Sequence, residues 1–195
     1  MDKKEVNTNF IHEIAKDISE NTIVPYDDLP QYDLFLSQVI DFLNDKFENE
    51  KYTNSIVQNY VKSEVITKPE DGKKRGYTKL HLVQLVLLSY MRPILTTDEI
   101  KKVFRLAFNN INDRSDDIIS WEKAYKIFSE TQKESFEQFI SKQHYNEQKL
   151  HKIIMELNLK SEDEERILVF LEVMVLIAQS STIKKLVQNI VDKYQ

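Results

Sequence analysis

Apolar residues recur every three or four positions along most of this chain, a spacing typical of amphipathic α-helices. The first such segment, residues 2–20, places its apolar side chains on one side of a predicted helix. Pro25 and Pro30 then interrupt the pattern and predict a linker. A second helix is predicted from about residue 32 to residue 47, with its apolar residues again on one face. The pattern therefore predicts an all-α fold.

The next predicted helix is short and has a polar outer face. Thr53 or Asn54 is suited to cap it, because a side-chain oxygen at that position accepts a free N–H group of the first turn. Apolar pairs at i, i+4 spacing predict one buried side, and the helix is expected to run from Thr53 to Lys62. Its outward residues are suited to hydrogen bonding with base edges in a DNA groove, and they are Asn54, Ser55, Gln58, Asn59 and Lys62.

A basic segment follows this helix. It contains both glycines of the chain, Gly72 and Gly76, and therefore predicts a turn or small hairpin. A short charge run is also typical of an ordinary solvated turn, so its place directly after the polar-faced helix is what favours a DNA contact. Four cations before the turn and at its tip are expected to contact phosphates, namely Lys68, Lys73, Lys74 and Arg75.

The rest of the chain also predicts helices. A long apolar helix, residues 80–91, ends before Pro93, and Thr96 with Glu99 forms a capping box that opens another helix. Four more are predicted after the polar stretch 109–117, at about 118–142, 146–157, 161–179 and 182–193. The predicted organisation is an N-terminal helix and linker (1–29), a winged helix-turn-helix unit (30–108) and a helical C-terminal domain (118–195).

Composition supports the helical prediction, since 195 residues with 2 Gly and 4 Pro offer little material for the turns of a sheet protein. The chain has no Cys, which excludes disulfides and thiolate metal sites. Its N-terminus does not resemble a secretory signal. The longest apolar run, Ile167–Ala178, is about 12 residues against the roughly 20 needed to cross a bilayer. We therefore expect a cytoplasmic protein without a membrane partner, in which this run is buried or pairs two copies as a homodimer.

Charge is distributed unevenly along the sequence. Residues 51–105 hold 11 Lys and Arg against 5 Asp and Glu, a net charge of +6. The whole chain has a net charge of -5, so the remaining residues carry -11. Because basic charge concentrated on one segment is the electrostatic footprint of a nucleic-acid surface, double-stranded DNA is the expected partner.

The segment from Tyr60 to Arg105 resembles the winged helix-turn-helix domains of the mercury-resistance-regulator (MerR) class. Residues 57–60 stand in the place of that class's Ile-Arg-Tyr-Tyr, and residues 74–78 in the place of its wing. The resemblance implies that Arg75 is a wing arginine that contacts the DNA backbone. Two residues depart from the pattern, because Gln58 replaces an arginine of the recognition helix and Glu64 replaces a turn glycine.

A resemblance over more of the chain is to the bacterial family called domain of unknown function 1836. It rests on residues 29–39, on residues 59–62, on Tyr77-Thr78 with His81, and on the helix that begins near Ile94-Leu95. The resemblance implies a bacterial cytoplasmic regulator. It implies no particular activity, so the predicted role still depends on the basic segment.

Signatures of catalysis are absent from the sequence, and two glycines cannot build a phosphate-binding or dinucleotide-binding loop. We therefore expect no enzyme activity, no catalytic residues and no cofactor. His144, Glu147 and His151 share a predicted helix face, but one face supplies too few ligands, so no metal site is expected. The predicted function is a DNA-binding transcription regulator. The alternative is a protein-interaction or adaptor module that has the winged fold without binding DNA.

Overall fold

A computed structural model describes residues 13–14, 16–18, 24–47, 51–69, 76–157 and 159–194 of the chain. The described part is mostly helical, which confirms the all-α prediction. Residues 13–14 and 16–18 are helical, as predicted for that segment, and the rest of residues 1–23 lies outside the description. The main helices of the described part are α1 (Leu36–Lys46), α2 (Asn54–Lys62), α3 (Lys79–Met91), α4 (Thr97–Arg105), α5 (Trp121–Met155) and α6 (Ser161–Lys193).

The starts of two helices follow from capping residues that the sequence predicted. The Thr53 side chain accepts from the Ile56 N–H at 3.3 Å, and the Thr96 side chain accepts from the Glu99 N–H at 3.3 Å. Glu99 accepts in turn from the Thr96 N–H at 2.7 Å, which completes the capping box. Thr78 precedes α3, and its N–H donates to the His81 side chain.

The chain forms two compact units, of which the first comprises residues 22–131 and 187–195. Its core surrounds α3, whose residues Leu82, Val83, Leu85, Val86 and Leu88 are all buried. This explains why α3 is apolar on every side, a pattern expected of a helix covered all round by other elements. Three polar residues of α3 are also buried, and these are His81, Gln84 and Ser89.

The predicted boundary at residues 109–117 falls inside the first unit. The Phe108 and Trp121 rings stack with centroids 3.5 Å apart, and the Tyr125 hydroxyl donates to the Val24 carbonyl at 2.7 Å. Trp121 and Tyr125, which follow the polar stretch in the sequence, therefore belong to the core of the first unit. Aromatic packing across the polar stretch holds its two sides in one unit.

The second unit comprises residues 1–21 and 132–186, and its described part is mainly two long helical segments. The breaks predicted near residues 143–145 and 180–181 are wrong, because α5 and α6 are continuous through them. Asn, Ser and Thr lower helix propensity only slightly, so the surrounding helix formers continue through them. Four of the described side chains of this unit are buried, namely Ile140, Ile154, Leu168 and Glu172.

Among the described residues, one helix is long and apolar enough to cross a membrane by length and composition alone. It is Asp163–Lys193, and 11% of its most apolar window is buried. The sequence prediction concerned only the apolar run 167–178, which is interrupted by Glu172 alone. The longer span arises because the uncharged residues 179–182 continue the helix.

Candidate nucleic-acid interface

The residues predicted to contact bases lie on one accessible face of α2. Val57, on the opposite side, is fully buried, while Ile56 and Tyr60 pack partly against the core. This orientation follows from the apolar i, i+4 pairs seen in the sequence. All five predicted side chains are exposed, namely Asn54, Ser55, Gln58, Asn59 and Lys62.

The segment before α2 is fixed to the core through Tyr52. The Tyr52 N–H donates to Asn44 Oδ1 at 2.7 Å, and Asn44 Nδ2 donates back to the Tyr52 carbonyl at 3.2 Å. The Tyr52 hydroxyl lies 2.7 Å from Ser89 Oγ, and Ser89 Oγ itself donates to the Leu85 carbonyl. Burial raises the pKa of Tyr52 to about 12, so the phenol stays neutral and donates to Ser89. These bonds join α1, α2 and α3 at the start of the candidate recognition helix.

The end of α2 is a tight left-handed turn at Glu64. Its φ angle is 56°, a conformation that glycine adopts freely and other residues adopt at a cost. The Val65 N–H bonds the Tyr60 carbonyl at 2.9 Å and the Glu64 N–H bonds the Val61 carbonyl at 3.1 Å, which is the Schellman pattern. The turn directs Val65 and Ile66 into the core, where both are fully buried.

Lys73, Lys74 and Arg75, the predicted tip of the wing, lie outside the described residues. Lys68 is described and is exposed. The two sides of this segment are described at residues 67–69 and 76–78. Each side is attached to the core by specific hydrogen bonds.

The first attachment is a buried amide on α3. Gln84 Oε1 accepts from the Thr67 N–H at 2.9 Å, and Gln84 Nε2 donates to Thr67 Oγ1 at 2.8 Å. Thr67 Oγ1 donates onward to the Ile111 carbonyl at 2.8 Å, and the Lys68 N–H donates to Asn112 Oδ1 at 3.0 Å. The polar stretch 109–117, predicted as a boundary, thus holds the start of the basic segment.

The second attachment lies at Tyr77 and Thr78. Tyr77 forms an antiparallel bridge with Leu34, with N–H to carbonyl distances of 2.8 and 3.3 Å. The Thr78 N–H donates to His81 Nδ1 at 3.0 Å. His81 is buried, and burial lowers its pKa, which keeps the ring neutral and able to accept this bond. Tyr77 and His81 are therefore packing residues of the first unit.

A polar pocket beside the Glu64 turn was not predicted from the sequence. It measures about 400 Å³ and is lined by Glu64, Lys101, Arg105, Asn109 and other residues. The apolar face of α4, which buries Ile100 and Phe104, leaves the side chains of Lys101 and Arg105 at this pocket. The i, i+4 spacing of Lys101 and Arg105 on an amphipathic helix was the sequence feature that could have indicated two neighbouring cations here.

Comparison with known proteins places this arrangement in a family. The sequence matches the family described as domain of unknown function (DUF1836) over residues 24–128, more than half of the chain. The chain belongs to this family. The matched segment holds α1 to α4, all five polar residues of α2 and the whole basic segment.

A relative of the chain is the uncharacterized protein YkrK of Bacillus subtilis (strain 168). The two sequences are 32% identical over 93 residues, which are 46% of this chain and 39% of YkrK. The chain thus matches about two fifths of its relative's length. No solved structure matches the chain.

Among the described side chains, no group of three or more His, Asp or Glu is placed to hold a metal ion. The side chains of His144 and Glu147 lie outside the described set, although the helix backbone that carries them is described. The first unit presents hydrogen-bonding side chains and cations on a helical framework. These groups have the chemistry of a binding surface.

Proposed function

We propose that this protein is a cytoplasmic DNA-binding transcription regulator that acts as a homodimer. Helix α2 enters the major groove, and the basic segment 67–77 contacts the phosphate backbone as a wing of the MerR type. One observation carries the proposal: every described polar residue predicted to contact DNA is exposed on the same unit, next to a basic segment attached to the core at both ends. Fixed attachment favours binding, because less flexibility is lost when the segment meets its partner.

The exposed face of α2 has suitable chemistry for reading bases. Amides such as Gln58 and Asn59 pair in a bidentate way with adenine, and a lysine such as Lys62 reaches guanine or a phosphate. The Thr53 cap and the Tyr52 bonds fix the start of the helix, so its outer face is presented in one orientation. A short rigid helix with a polar outer row is what groove recognition requires.

Phosphate contacts supply most of the affinity in such complexes. Lys68, Lys73, Lys74 and Arg75 provide four cations within eight sequence positions. Lys101 and Arg105 add a second pair beside the end of α2. These six cations are more than half of the 11 basic residues between positions 51 and 105, in a chain that is acidic elsewhere.

The test is neutralisation of the wing tip. Replacing Lys73, Lys74 and Arg75 with Gln should make the slope of log affinity against log salt shallower by about 2.7, at roughly 0.9 for each phosphate that is no longer neutralised. The matched control replaces Lys149, Lys152 and Lys160 with Gln, which removes the same charge from the second unit. It should leave the slope unchanged. An equal effect of both triple variants, or an effect of neither, would show that the wing does not contact DNA.

A second function is favoured by the departures at Gln58 and Glu64. Gln58 stands exposed where the MerR class has an arginine, and the Glu64 carboxylate lines the pocket beside α2. Both changes reduce positive charge at the proposed DNA surface, which suits an adaptor module that binds another protein. A co-purifying protein partner, together with no DNA binding at low salt, would select this function.

A further inference from the structure

The outer face of α6 carries an exposed apolar stripe within the second unit. Five large side chains on it are between 37% and 57% exposed. With 100° per residue they fall within one 120° sector of the helix, while Leu168 and Glu172 on the opposite side are buried. The stripe consists of Ile167, Phe170, Val173, Met174 and Ile177.

Charged residues stand at both ends of this stripe, on the same face. Asp163 lies one turn before Ile167, and Lys184 lies two turns after Ile177, and both are exposed. The midpoint between Asp163 and Lys184 falls between Val173 and Met174, inside the apolar stripe. The stripe therefore has a negative charge beyond one end and a positive charge beyond the other.

We infer that two copies of this chain pair through α6 in antiparallel orientation, with the two-fold axis beside Val173 and Met174. In this register Asp163 of each copy faces Lys184 of the other, and Phe170 faces Ile177. Parallel pairing would instead set Lys184 and Lys185 against the same residues of the second copy. Like charges facing each other oppose association, so the charge pattern selects the antiparallel arrangement.

The charges at the ends of the stripe argue for a second copy over a lipid bilayer. The whole helix is long and apolar enough to cross a membrane by length and composition, but the stripe from Ile167 to Ile177 extends about 15 Å and has charged residues on its own face at both ends. Asp163, Arg166, Lys184 and Lys185 lie on that face at its ends. An isologous interface needs a self-complementary surface, and this face has one.

The inference deepens the homodimer in the proposed function by naming its interface. Single-cysteine crosslinking tests it cleanly, because the chain has no native Cys. Oxidised Met174→Cys should give a covalent dimer, since position 174 lies next to its own copy at the axis. Lys184→Cys and Ile183→Cys should stay monomeric on a non-reducing gel, while the Asp163→Cys, Lys184→Cys double variant should crosslink.

The crosslinking results are interpreted together with the native molecular mass of the unmodified chain. A dimeric mass with crosslinking at 174 but not at 184 is the expected result. Crosslinking at both single positions would establish parallel pairing and overturn the register. A monomeric mass would overturn the inference, whether the stripe is then covered by residues 1–21 of the same chain or, in a vesicle flotation assay, by lipid.

A charged substitution separates this inference from the DNA proposal. Phe170→Glu, at an exposed position, should weaken self-association on the order of 100-fold while helical circular dichroism is retained. Ile183→Glu, exposed on the opposite side of the helix, is its matched control and should leave the mass unchanged. A chain that dimerises as described but binds no DNA contradicts only the proposed function. A monomeric chain with salt-dependent DNA binding contradicts only the interface.

Discussion

Glu64 shows how a single residue fixes the direction of the chain after the candidate recognition helix. Its left-handed conformation completes the Schellman turn and directs Val65 and Ile66 into the core. The resemblance to the MerR class indicated that a turn glycine is usual there, but the φ angle was not predicted. The glycine of the MerR class could have indicated a left-handed turn at this position, because the left-handed region is unfavourable for any residue with a Cβ atom.

Glu64→Gly should stabilise the protein by about 1 kcal/mol, because relief of the left-handed penalty exceeds the added flexibility of the unfolded chain. Glu64→Ala is the matched control, since it removes the carboxylate but keeps the Cβ atom, and it should give no such gain. Urea denaturation of the three proteins measures the difference. Equal stabilisation by both substitutions would assign the effect to charge and not to the turn.

His81 is a second single residue with a measurable effect, because it makes the free energy of folding depend on pH. Burial lowers its pKa below 6.5, so the unfolded chain binds this proton more readily than the folded protein. The stability contributed by neutral His81 is complete above the unfolded pKa and is lost as pH falls from 6.5 towards the lower folded pKa. Backbone hydrogen bonding at Lys68 and Thr67, and then the Asp33 carboxylate, oppose this lowering of the pKa, but burial has the larger effect.

The prediction is that wild-type stability falls between about pH 7 and pH 5 more steeply than that of His81→Gln. Gln at this position still accepts from the Thr78 N–H, as in a standard capping box, but does not titrate. The two slopes should differ by up to about 1.4 kcal/mol per pH unit. Thermal denaturation across this pH range measures it, and parallel curves for the two proteins would refute the role of His81.

At the scale of secondary-structure elements, capping residues determine where helices begin, and these starts were predicted from the sequence. Thr53 and Thr96 were identified because a side-chain oxygen directly before an apolar helical pattern can accept an N–H group of the first turn. Breaks within α5 and α6 were predicted wrongly, because weak helix formers inside a long helix are tolerated when neighbouring turns are strong. The Gln84 attachment was missed, since a lone polar residue in an apolar helix does not specify its partner.

Two caps of the same kind allow stability and binding to be separated. Thr53→Ala and Thr96→Ala should each cost about 1 kcal/mol of folding free energy, because each leaves an N–H group of the first helical turn without its acceptor. Thr53→Ala should weaken DNA binding more than Thr96→Ala, because it loosens the start of α2, the helix proposed to enter the groove. Parallel denaturation and DNA titrations of both variants test this. Equal loss of affinity in both would place the binding surface elsewhere.

The division of the whole molecule into units could not be predicted from the sequence. It depends on contacts between distant residues, such as the Tyr125 hydroxyl with the Val24 carbonyl and the stacking of Phe108 on Trp121. A polar stretch such as residues 109–117 looks like a boundary when only neighbours are considered. The charge of residues 51–105, whose sign opposes that of the rest, leads to the prediction of a DNA partner, which a binding measurement tests.

The central claim is that the basic segment and α2 form a DNA-binding surface. Fluorescence anisotropy with a mixed-sequence DNA duplex, from about 50 to 200 mM salt, tests it most directly. Four phosphate contacts predict a slope of about -3.6 in log affinity against log salt, which weakens binding on the order of 100-fold over this range. Binding with that dependence would support a phosphate-contacting surface. No binding at the lowest salt would contradict the account and favour a protein partner.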